Sequence, residues 1–128
     1  MYMTSMNTVE EITDQEFKTL IGENPPNYTG IFFDNCQELT KNSLDLIMNK
    51  CKSVCKLGLS KFLHLNDSWL RDLTLCLRST LYLDINCCYN VTDNGLYHVS
   101  ENLVGESLEF LVLERCMSIT DEGLKYVL

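Results

Sequence analysis

The sequence predicts an α/β fold: a right-handed solenoid with short parallel strands on its concave side and helices on its convex side. Three observations carry this. The stretch "YLDINCCYNVTDNGLYHV" (82–99) lies without a gap over "FLVLERCMSITDEGLKYV" (110–127), so that Cys88 meets Cys116 at an offset of 28 residues. Within each copy the apolar period changes, from the alternation of a strand to the i, i+3, i+7 spacing of a helix, as in Leu96, Val99 and Leu103. A Thr-Asp pair stands at that change, where a threonine hydroxyl can cap a helix and an acid meets the positive end of its dipole.

The elements follow in order. "ITDQEFKTL" (12–20) is a partial copy whose Thr13 and Glu16 make a capping box, and Pro25-Pro26 in "GENPPNYTG" ends its helix. "GIFFDNCQELTKNSLDLI" (30–47) is a full copy, with Ile31, Phe33, Cys36, Leu39, Thr40, Leu44 and Ile47 in the shared places. "KLGLSKFLHLNDSWLRDL" (56–73) is the next, with Asn66-Asp67 at the boundary. The two copies at 82–99 and 110–127 complete the set. One such unit cannot bury its own apolar face, whereas stacked units share a continuous core.

The pattern L-x-x-L-x-L-x-x-C-x-x-[ILV]-T-D-x-G-L resembles the cysteine-containing leucine-rich repeats of F-box substrate receptors and of the antagonist-of-mitotic-exit proteins. "VTDNGL" and "ITDEGL" carry the resemblance most closely. In the middle copies Phe62 replaces the cysteine, Lys41 the aspartate, and Ser43 and Trp69 the glycine. The resemblance implies a substrate-recognition role in a ubiquitin ligase, with ligase components among the partners. The domain reading is an N-terminal helical cap or partial repeat over 1–27, then four leucine-rich repeats over 28–128. Because "GLKYVL" stops within a helix, the array is expected to be truncated or uncapped at its C-terminus, continuing in the natural protein or covered by a partner.

Composition narrows the function. With 128 residues, 45 % of them hydrophobic and 22 % charged, the chain suits one domain with one core. Eighteen acidic against ten basic side chains, a net charge of −8, repel a polyanion, so no nucleic-acid partner is expected. No apolar run approaches the roughly 18 to 20 residues of a membrane span. The acidic start "NTVEEITDQE" is unlike a secretory or mitochondrial leader, which places the expected location in cytoplasm or nucleus ahead of the mitochondrion.

Seven cysteines invite a thiol or metal reading. By the repeat register Cys36, Cys88 and Cys116 point inward as small buried hydrophobes. Cys51 and Cys55 lack a second closely spaced pair to complete a zinc site. Cys87, aligned with Asn35, Lys61 and Arg115, is expected to be exposed, and neither His64 nor His98 is placed as its base. Gly95 and Gly123 recur once per unit and belong to its turn. The sequence therefore predicts no enzyme, and no catalytic, cofactor-binding or metal-binding residue.

Binding is the remaining expectation. The non-leucine strand positions line the inner surface of such an array: Phe32, Asp34, Lys56, Tyr82, Asp84, Asn86, Phe110, Val112 and Glu114 are the candidate partner-binding residues. Aromatic anchors beside acids suit a protein partner. An alternative is a structural assembly or coupling factor, since mitochondrial ATP synthase coupling factor B and respiratory assembly factors have similar short repeat arrays.

Overall fold

The computed structural model describes residues 5–8 and 11–128. Strand and helix alternate: β1 (Ser5–Thr8), α1 (Asp14–Ile21), β2 (Gly30–Phe33), α2 (Lys41–Lys50), β3 (Lys56–Leu59), α3 (Asp67–Cys76), β4 (Tyr82–Asp84), α4 (Asp93–Asn102), β5 (Phe110–Val112) and α5 (Asp121–Val127). The five strands form one sheet in chain order, every pair parallel. This is the predicted α/β class. β1 lies outside the sequence expectation, which assigned only a helix to that end. Its residues pair with Gly30–Phe33.

Strand alternation sends Ile31 and Phe33, Leu57 and Leu59, Leu83 and Ile85 to one face of the sheet, where all are buried. The helices return Phe17, Ile21, Leu44, Ile47, Leu70, Leu73, Leu96 and Val99 to the same layer. A parallel sheet needs this cover, because each crossover brings a helix back over the strands it joins.

Each helix opens at a cap whose oxygen accepts from a first-turn N–H: Thr13 from Glu16, Thr40 from Asn42, Asn66 from Trp69, Thr92 from Asn94 and Thr120 from Glu122. At α1 the expected capping box is half formed. The Thr13 hydroxyl itself meets the Glu16 carboxylate at 3.2 Å.

The acids after the caps do more than face a helix dipole. Asp14 accepts from the backbone N–H and hydroxyl of Thr40 at 2.9 and 2.5 Å, and Asp93 does the same with Thr120 at 2.8 and 2.6 Å. Each carboxylate thus ties its own helix to the next cap. Glycine leaves room for it: a Cβ at Gly95 would stand 2.5 Å from Asp67 Oδ1, and one at Gly123 would overlap Asp93 Oδ1. In the second unit Ser43 replaces glycine and donates its hydroxyl to Asp14 at 2.6 Å.

The α2–α3 seam departs from this arrangement. Lys41 stands where the acid would be, so no carboxylate needs space beside the next helix, and Trp69 occupies the glycine position. Its ring packs edge-on against Phe62, centroids 6.2 Å apart. Lys41 instead reaches across the seam to the Asp72 carboxylate of α3 at 3.7 Å, so a surface ion pair stands where the other seams have a carboxylate-to-cap tie.

Cys87 corrects the sequence reading, being buried at 9 % exposure. Cys87, Lys61 and Arg115 all adopt left-handed backbone, with φ of 59°, 60° and 57°. That turn breaks the alternation on which an outward side chain depended. The Cys87 N–H donates to the Glu114 carbonyl at 2.9 Å. Lys61 and Arg115 have stems long enough to reach solvent from the same backbone position.

Candidate binding face

The sheet face opposite the helices carries the predicted residues in rows set by strand register. Gly30, Lys56, Tyr82 and Phe110 form one row, and Phe32, Gly58, Asp84 and Val112 the next. Asp34, Asn86 and Glu114 follow at the strand ends. Phe110, Asp34 and Glu114 are exposed, and Phe32, Lys56, Tyr82, Asp84, Asn86 and Val112 are half-buried.

The rows bring three aromatic rings together. Phe32 and Tyr82 meet edge-on with centroids 6.0 Å apart although β3 runs between their strands, and Tyr82 and Phe110 meet at 6.4 Å. Gly58 makes the first contact possible. A Cβ there would stand 3.0 Å from Phe32 Cδ1, so glycine lets the ring lie across β3. Phe110 keeps 60 % of its surface exposed at the end of the row.

Between the rings lies an open groove of about 430 Å³, bordered by Phe32, Lys56, Leu81, Tyr82, Glu109 and Phe110. Leu81 and Glu109 were missed by the strand pattern because they precede its first alternating residue. The Glu109 N–H donates to the Leu81 carbonyl at 2.8 Å, which continues the register one step. A larger opening of about 490 Å³ lies between α1 and α2, lined mainly by polar side chains such as Gln15, Lys18 and Lys50, and includes none of the predicted residues.

The acidic end has its own order. Asp84 accepts from the Asn86 N–H at 2.9 Å, and Asn86 Oδ1 accepts from the Glu114 N–H at 2.8 Å. Asn86 is thereby committed to joining units. Burial holds the Asp84 carboxyl above the ordinary carboxylate value and the charge of Glu114 adds to this, against the Asn86 hydrogen bond.

The inward cysteines form a second periodic feature. Cys88 Sγ donates to the Leu59 carbonyl at 3.5 Å and Cys116 Sγ to Ile85 at 3.0 Å, each reaching the preceding unit. Burial pushes the Cys88 thiol up to about 12, and burial also raises Cys36 and Cys116. Protonated thiols donate, and here they serve the backbone. Among the described residues no three His, Cys, Asp or Glu side chains gather as a metal-binding group. His64 is exposed, and His98 is half-buried with its ring against Tyr97. Among the described residues, no helix is long and apolar enough to cross a membrane.

No protein-family model matches the chain, and no curated protein matches it.

Proposed function

We propose that this chain is a leucine-rich-repeat solenoid acting as a non-catalytic protein-interaction module, with its partner on the open sheet face. The observation that carries the reading is the aromatic row Phe32–Tyr82–Phe110, which spans β2 to β5 and borders a groove instead of being covered by a helix. Contiguous aromatics, two half-buried and one exposed, are residue types that anchor protein interfaces. The resemblance of "VTDNGL" and "ITDEGL" to F-box-type repeats supports substrate recognition for a ubiquitin ligase as the setting, in cytoplasm or nucleus.

Affinity purification from cells tests this, comparing wild type with a Phe32→Ala, Tyr82→Ala, Phe110→Ala triple variant and with a helix-side control, Leu20→Ala. Proteins retained by wild type and control but lost from the triple variant are expected. Identical sets from all three would overturn the reading. Recovery of a cullin-ligase adaptor would support the ligase setting, whereas respiratory or ATP synthase subunits would support an assembly factor.

A further inference from the structure

We infer that the partner segment is extended and pairs an apolar anchor with a lysine or arginine about two to four residues away. This rests on the binding reading just given and specifies its ligand. The groove between Phe32, Tyr82 and Phe110, with Leu81 also on its border, takes the anchor. The cation is called for by what lies further along the same strands.

Asp84 stands two residues beyond Tyr82 on β4, on the same face, and Glu114 four beyond Phe110. At strand rise Asp84 is roughly 7 Å from the anchor, and Glu114, in the turn after β5, is at most about 13 Å away. An extended ligand spans that distance in about two to four residues.

Phe32, Gly58, Asp84 and Val112 share one row of the sheet, and Asp34 and Glu114 each follow two residues beyond that row, just after β2 and β5. Three carboxylates therefore share one end of the face. Lys61 and Arg115 occupy the neighbouring turns, yet among the described residues no ion pair joins any lysine or arginine to Asp34, Asp84 or Glu114. A ligand cation placed there offsets charge that the protein leaves uncompensated.

Lys56 gives the ligand a direction. It borders the groove together with the Glu109 carboxylate, so the two charges offset each other there, while Asp34, Asp84 and Glu114 at the far end have no such cation among the described residues and favour the ligand's positive group. The chain's net charge of −8 acts in the same sense, favouring a basic segment over an acidic one.

The test is selection of random-sequence peptides displayed on phage against the full chain, followed by affinity measurement of the winners. Peptides with an apolar residue and Lys or Arg at the stated spacing are expected. Tyr82→Ala should weaken them about 30-fold. Asp84→Asn with Glu114→Gln should weaken them about three- to tenfold and reduce their salt dependence. Winners that depend on Tyr82 but lack the cation, or that ignore the double variant, would overturn the inference and leave the binding reading intact. A selection yielding no Tyr82-dependent peptide would overturn an extended ligand, while the affinity purification above judges the binding reading separately.

Discussion

The Asp67 carboxylate accepts from both the backbone N–H and the hydroxyl of Thr92, at 2.8 and 2.5 Å, while that same threonine caps α4. One side chain thus closes a helix end and is itself held by the helix before it. The pair is 25 residues apart in sequence and belongs to neighbouring units.

Thr92→Val removes the hydroxyl from both roles. It is expected to destabilise the protein by about 1–2 kcal/mol, measured by urea unfolding. A double-mutant cycle with Asp67→Ala should give a coupling of at least about 0.5 kcal/mol. Additive effects would show that the cap acts alone.

Gly95→Ala places a methyl group 2.5 Å from Asp67 Oδ1 and 2.8 Å from Val91 Cγ1, and a cost of about 1–3 kcal/mol follows from overpacking. The Asp67 part of that cost should disappear in an Asp67→Ala background, while the Val91 contact keeps its share. An equal cost in both backgrounds, read from unfolding midpoints, would move the cause to the Val91 side chain.

Acid should loosen these ties in a defined window. For Asp14, burial opposes ionisation, but the hydrogen bonds from Ser43 and Thr40 outweigh it and lower the carboxyl below its ordinary 3.8. The Thr120 hydroxyl and N–H lower Asp93 likewise. A lowered folded-state value means stability that is present above the unfolded value and lost as pH falls through the folded one. The melting temperature should therefore drop below about pH 4, less steeply in an Asp14→Asn, Asp93→Asn variant. Asp84 has the opposite sign, since its raised carboxyl costs stability once ionised. Asp84→Asn should raise the melting temperature at pH 7.

Thiol titration should separate the cysteines by depth. Cys76 is exposed and is expected to react first, whereas Cys36, Cys88 and Cys116 stay unreactive until the protein unfolds. Mass mapping of the labelled sites in the native state checks this. Early labelling of Cys88 would contradict its burial beneath the strand end.

The unit itself was legible in the sequence: strands where apolar residues alternate, helices where they follow i, i+3 and i+7, caps at Thr13, Thr40, Asn66, Thr92 and Thr120, and cysteines turned inward at Cys88 and Cys116. These properties are local or periodic, because backbone geometry sets side-chain direction within each unit. Glycine at 95 and 123 was legible as recurrent, but its reason was not. The candidate strand residues were readable as one set, whereas Leu81 and Glu109 fell outside the alternation that defined it.

Tertiary structure decided whatever depends on which residues of different units face each other. Asp67 reaches Thr92, Lys41 pairs with Asp72 across its seam, Cys87 turns inward on a left-handed residue, and Phe32 crosses Gly58 to meet Tyr82. A repeat period says that two positions are equivalent. It leaves open whether their side chains touch across a seam, because that is set by distances of a few ångströms between strands and helices that only packing fixes.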